Sequence, residues 1–349
     1  MAYTNAKKIY GRVGAEAVLT EQSDLRQYLT GFESSFGYVL SDKNGSAFYT
    51  DPRYIEGATA ALAGTDIAVK IFEGSLEKLL KPYKQVAIPL SKTYYTEWKR
   101  LADAGLEIVD SEQAFIEEMS VKQPYELEAI EKACEITDKA FNALLSEIKE
   151  GMSENDLAAE LEYLMRKYGA SGTSFSTISA FGENSSVPHH ETGLRKLKFG
   201  DIILLDFGCK FGGYCSDCTR TFLFGDDKKH QNFKTAYEHV LKAHMLVKER
   251  ITDGITGREA DAIARGYLKE NGLDKFFSHS LGHGIGVNIH EFPRLSTRSE
   301  DILKNNMVFS DEPGVYFEGD FGIRIEDTVT LKDGRAVSLT NSDKKLIIL

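Results

Sequence analysis

The stretch from Ser278 to Asp327 restricts this chain most. It reads SHSLGHGIGVNIHEFP, then DEPGVY, then GIRIEDT, and its glycines and prolines exclude one continuous helix. His279, His283, His290, Glu312 and Glu326 all fall within 48 residues there, so strands and turns must carry them. An upstream segment, LLDFGCKFGGYCSDCTRT, adds Asp206 and Asp217. Several of these acids adjoin short apolar runs such as Ile202 to Leu205 and Val308 to Phe309. A carboxylate drawn into such surroundings requires a partner or a metal ion. Four carboxylates with one or more histidines form a hard, oxygen-rich donor set, and the pattern points to a divalent-metal centre.

A repeat frames that centre. IKEGMSENDLAAELEYLMRKYG (Ile148 to Gly169) aligns without a gap with ITDGITGREADAIARGYLKENG (Ile251 to Gly272), at an offset of 103 positions. Gly151 matches Gly254, the helix cap Ser153 matches Thr256, and the terminator Gly169 matches Gly272. Each predicted helix precedes a strand-rich segment with two acids, Asp206 and Asp217 being 11 apart and Glu312 and Glu326 14 apart. The order predicts a duplicated half-domain whose halves close face to face, each giving two acids to one site.

Residues 1–122 read as a separate α/β domain. Asp24 to Phe32 predicts a helical turn closed by Gly31, and Gly37 to Thr50 predicts two strands around Asn44-Gly45. Asp51 is expected to cap a helix with Pro52 in its first turn. Strand and helix signals then alternate through Val86–Ile88, the helix around Trp98 and Glu107–Val109. This domain contains no histidine and is expected to shape or assemble rather than catalyse. Just before Pro124 the pattern changes to a long amphipathic helix running toward Gly151, so residues 123–349 form the second domain.

A net charge of −11 without any Lys/Arg run argues against nucleic acid as a partner. No run of 18 apolar residues exists and the start lacks a signal-peptide core, so a cytoplasmic location away from membranes is expected. Cys215 and Cys218 lie in a strand-like segment, where positions three apart face opposite sides. They read as small buried thiols rather than a zinc or redox pair. His230, His239 and His244 fall in a polar, helix-like run and read as surface residues, whereas His189 and His190 follow Pro188 in a loop.

Two metal ions about 3.5–4 Å apart need bridging carboxylates, because an imidazole nitrogen offers a single lone pair. Such a pair activates water toward a carbonyl, so the implied reaction is hydrolysis of an amide or ester. Arg324 precedes Glu326 by two positions and on a strand would face the same way, able to orient that acid or to capture a substrate carboxylate.

In combination, DFG, YCSDCTRT, GHGIGVNIHEFP, EPGVY and RIEDT resemble the pita-bread metallopeptidases, the family of prolidase, Xaa-Pro aminopeptidase and methionine aminopeptidase. The resemblance covers nearly the whole chain. It implies an α/β protein with a small mixed-sheet N-terminal domain and a C-terminal pita-bread domain with an internal pseudo-two-fold. It further implies five metal ligands, Asp206, Asp217, His283, Glu312 and Glu326, holding two divalent ions, with manganese the usual metal and cobalt, zinc or iron also suited. Asp217 and Glu326 would bridge, and Glu312 would also shuttle protons. His189 and His290 would contact the substrate, His279 would border its pocket, and Arg324 would assist. Arg324, the extra N-terminal domain and the Pro188-His189-His190 segment, 17 residues ahead of Asp206 at His189, resemble the proline-directed branch. The expected substrates are short peptides with proline second, and the expected assembly is a homodimer. A methionine aminopeptidase-like enzyme, or a non-catalytic peptide-binding scaffold of the same fold, is the alternative. Creatinase, the metal-free relative, is disfavoured because all five ligand positions are filled.

Overall fold

The computed structural model describes residues 5–226 and 230–349. The chain divides into two compact units, Met1–Met119 and Ser120–Leu349. Apolar side chains of the first unit, such as Leu19, Leu40, Leu80, Val86 and Ile88, cluster around a six-stranded mixed sheet. Its central strand, Ala17–Thr20, pairs antiparallel with Tyr38–Asp42 and parallel with Gln85–Ile88. The hairpin expected at Asn44-Gly45 joins Tyr38–Asp42 to Gly45–Thr50, and Gly31, at φ 63°, ends the helix Ser23–Thr30. One expectation is corrected. The helix after Asp51 begins only at Ile55, because the Asp51 carboxylate accepts from the backbone N–H and guanidinium of Arg53 and closes a local turn instead.

In the second unit the helix from Pro124 ends at Leu144, short of Gly151. Gly151, at φ 88°, lies in the turn that follows and donates its N–H to Leu197 O at 2.9 Å. The repeat is then laid out in three dimensions. The helices Glu154–Lys167 and Gly257–Glu270 start and stop at matched positions. Each carries a capping box, Ser153 with Asp156 and Thr256 with Glu259. Each also packs against the long helix that precedes it, Pro124–Leu144 or Gln231–Arg250.

Two antiparallel sheets form the inner faces. One orders Ile178–Phe181, Asp201–Phe207 and Cys218–Phe224 with the Asp201 strand central. The other centres on Val308–Asp311 paired with Asp327–Lys332. These strands are buried almost throughout, as a sheet covered on both faces requires.

The surface reading of two histidines is corrected here. His230 and His244 are buried and His239 is half-buried. The buried face of the helix runs Phe233, Ala236, Tyr237, Val240, Ala243, His244, Val247, a 3–4 spacing that includes His244. The four cysteines are buried and unpaired, and burial pushes the Cys215 thiol up to about 11. Among the described residues, no helix is long and apolar enough to cross a membrane.

Candidate metal centre

Each sheet hangs one acid from the end of each strand of a pair. In the first half Asp206 lies opposite Thr219, and Asp217 immediately precedes the partner strand. In the second, Glu312 follows Val308–Asp311 and Glu326 precedes Asp327–Lys332, with Asp311 opposite Asp327. Backbone contacts stitch the halves together at this point. Glu326 N–H donates to Thr219 O at 3.1 Å, Asp217 N–H to Thr328 Oγ1 at 3.0 Å, and that hydroxyl back to Asp217 O at 2.8 Å.

The result is a concentrated set of donors. Carboxylate oxygens of Asp206, Asp217 and Glu326 lie within 4.8 Å of one another. His283 Nε2 stands 3.6 Å from Asp217 and 3.4 Å from Glu312. His283 Nδ1 meets Gly284 O at 3.1 Å, so the proton belongs on Nδ1 and the Nε2 lone pair faces the acids. Burial, then His290, lowers its pKa to about 4, which keeps the ring neutral.

The carboxylates strain against each other. Burial, then the charges of Glu326, Asp206 and Glu312, push the Asp217 carboxyl well above the usual range. Burial and Glu312 do the same to Glu326, and burial raises Glu312 to about 8 against the opposing pull of Arg324. Asp206 Oδ1 is buried without a hydrogen-bond partner. A cation is what this donor set lacks, and four hard oxygen donors with one imidazole suit a divalent ion.

Around the acids the other expected residues separate into two groups. His189 and His290 are exposed at a cavity of about 670 Å³ whose wall also includes Phe175, Ile178, Phe292 and Arg294. His279 borders the same cavity but is fully engaged: Nδ1 donates to Ser280 O and Nε2 meets Tyr316 OH at 3.0 Å. Burial, then the Arg324 charge, lowers it to about 3.

Arg324 stands directly behind the acids. Its side chain is buried, and it donates to Thr219 Oγ1, Tyr316 OH, Pro188 O and Asp206 Oδ2, the last at 2.6 Å. The guanidinium orients Asp206 and also forms part of the cavity wall. Arg294 is the exposed cation on the cavity wall, 4.8 Å from the Phe292 ring centroid.

Sequence reasoning missed Arg294, Tyr316 and Thr219. Arg294 directly follows the segment that ends His290-Glu291-Phe292-Pro293 and was discoverable by its nearness to His290. Thr219, whose hydroxyl donates to Glu326 at 2.5 Å and accepts from Arg324, lies within the YCSDCTRT segment, but both of its partners stand more than a hundred positions away.

The model of metallopeptidase family M24 matches residues 128–333, and that of the creatinase/prolidase N-terminal domain matches residues 4–119. The chain belongs to metallopeptidase family M24. It is thus a metal-dependent hydrolase that acts on peptides. A Xaa-Pro dipeptidase of Pyrococcus horikoshii is 35% identical over 336 residues, covering 95% of this chain and 94% of the relative. Among solved structures, a Xaa-Pro dipeptidase from Bacillus anthracis superposes with a TM-score of 0.92 at 34% identity over 99% of both chains. An X-Pro aminopeptidase from Thermotoga maritima gives 0.90 at 33% identity, over 98% of this chain and 99% of that one. This M24 member therefore has the pita-bread fold with the extra N-terminal domain. It is about equally similar to proteins named Xaa-Pro dipeptidase and X-Pro aminopeptidase.

Proposed function

We propose that this M24 enzyme uses two divalent metal ions to hydrolyse the Xaa-Pro bond of dipeptides or of short peptides with proline second. The observation that carries the reading is the buried pair Asp217 and Glu326, with Asp206 on one side and His283 and Glu312 within reach on the other. Asp217 and Glu326 would bridge the ions, Asp206 would complete one site, and His283 with Glu312 the other. Manganese fits these ligands, as do cobalt, zinc and iron. When bound, the ions supply an activated water and polarise the scissile carbonyl.

The chain's own residues account for the remaining work. Glu312, held by Ser310 Oγ at 3.0 Å, is placed to take a proton from the attacking water and return it to the leaving proline nitrogen. His290 and His189 donate hydrogen bonds to the carbonyl oxygen as charge develops on it. Burial, then His189, lowers the His290 pKa and favours the neutral ring, which still offers one N–H. A bond before proline has no amide N–H to recognise. Recognition then falls to the ring, for which Phe175, Ile178 and Phe292 provide apolar wall, and to the group that follows it. In a dipeptide that group is a carboxylate, and Arg294 is placed to meet it.

The test is a chelated enzyme reloaded with manganese or cobalt, assayed on a Xaa-Pro dipeptide, a Xaa-Pro-Xaa tripeptide and a methionyl-alanyl peptide, with bound metal measured in parallel. Two ions per chain and cleavage confined to the proline substrates are expected. Full activity with one ion per chain, or preference for the methionyl peptide, would overturn the proposal.

A further inference from the structure

Glu154 opens the helix Glu154–Lys167 and is completely buried, yet it is not part of the acid cluster. Its carboxylate accepts four hydrogen bonds, all from one loop. Oε1 receives Phe181 N–H at 2.9 Å and Asn184 Nδ2 at 2.8 Å. Oε2 receives His190 Nε2 at 2.9 Å and Gly193 N–H at 3.0 Å. The backbone joins the same seam, with Asn155 N–H on Gly193 O at 3.0 Å and Glu154 N–H on Arg195 O at 3.1 Å. A carboxylate in the first helical turn is also favoured by the helix dipole, so the anion is well placed to act as the fixed point.

The loop's far side is held by the second half of the repeat. Gly322 N–H donates to Ser185 Oγ at 2.9 Å, and Arg324 Nη1 reaches Pro188 O at 3.3 Å. A side chain at position 322 would collide with Ser185 O, so the two backbones meet without slack. His189 therefore sits between two clamped neighbours, Pro188 tied to Arg324 and His190 tied to Glu154. It lines the cavity and lies near enough to His290 for its charge to depress that ring.

We propose that Glu154 is a positioning residue: its buried carboxylate gathers the loop of residues 181–193 so that His189 is presented to the substrate. The proposal rests on the reading in which His189 contacts the peptide. Its chemistry is specific to a carboxylate, because both oxygens face donors and two of those donors are backbone N–H groups that cannot adapt. In Glu154→Gln the amide NH₂ must face either Phe181 N–H and Asn184 or Gly193 N–H and His190, and one side of the loop loses its anchor.

A double-mutant cycle on the metal-loaded enzyme tests this, with metal content and Tm measured for every variant. Glu154→Gln is expected to lower kcat/KM about 10- to 100-fold, the scale of a sub-ångström to ångström misplacement, with two ions still bound. In a His189→Ala background the same change is expected to cost less than about threefold, because the group it positions is gone. His190→Gln keeps a donor toward Glu154 and is expected to retain most activity, whereas His190→Leu follows Glu154→Gln. Equal losses with and without His189, or equal losses in His190→Gln and His190→Leu, would overturn the proposal. If His189→Ala alone leaves kcat/KM unchanged, it is the substrate role of His189 that fails. Should Glu154→Gln not fold, the two His190 variants crossed with His189→Ala decide the matter alone.

Discussion

Removing the metal should make the protein's stability strongly dependent on pH. Without cations, the carboxyls of Asp217, Glu326 and Glu312 face one another in a buried site, and all three are raised, Glu312 to about 8 from 4.5. A raised carboxyl holds its proton in the folded state at a pH where the unfolded chain has released it. Stability is therefore lost as pH climbs from about 4.5 toward 8, by about 1.4 kcal/mol per pH unit for each such proton. Between pH 5.5 and 7.5 one proton alone amounts to about 3 kcal/mol, or roughly 6–12 °C in Tm for a unit of this size. Bound divalent ions take the place of those protons, so the loaded enzyme should not show this fall. The assay is calorimetric unfolding of chelated and reloaded protein across that range. His244 and Asp311 titrate in both forms and cancel in the difference. Because His279 and His283, lowered to about 3 and about 4, add stability toward pH 6.5 in both forms, the quantity to read is the difference: a gap between loaded and chelated Tm that does not widen between pH 5.5 and 7.5 would refute the argument that these carboxyls are mutually destabilised.

Further expectations concern single side chains. Asp217→Ala or Glu326→Ala should abolish hydrolysis and lower bound metal while circular dichroism stays native, because no other residue spans both sites; activity within about tenfold of wild type after chelation and reloading would argue against two bridged ions. Arg294→Ala should raise KM for a Xaa-Pro dipeptide about 10- to 100-fold, the value of a charge-assisted hydrogen bond, and far less for a tripeptide. Steady-state kinetics on both substrates showing equal losses would remove Arg294 as the carboxylate reader. His244 lies 3.0 Å from Asp311 and 3.4 Å from Asp327, and despite burial these acids raise its pKa to about 9. Its contribution is complete below pH 6.5 and is lost as pH rises through about 9, worth about 3 kcal/mol. The Tm gap between wild type and His244→Gln should thus shrink from pH 7 to pH 10, and a constant gap would mean that packing alone is at stake.

Much of the molecule was legible in the chain because its signals are local. Ser153 with Asp156 and Thr256 with Glu259 cap helices through contacts three residues apart. Asn44-Gly45 closes a hairpin by its own backbone preference. The acids beside apolar runs, and the glycines that forbid a helix around His283, marked out the donor set before any strand was placed. What the sequence could not encode locally is how the two halves meet. Thr219 joins Arg324 to Glu326 across 107 positions to the acid, and Arg324 reaches Asp206 across 118. Those partners are what hold Arg324 against a carboxylate from the other half of the repeat. His244 likewise became a core residue because Asp311 and Asp327 pair in register beneath it. Glu154 acquires its partners only where the loop of residues 181–193 folds back onto it. The residue types capable of the chemistry were determined by the sequence alone, whereas their partners came from strand pairing and packing across tens of positions to more than a hundred, which no short window of sequence contains.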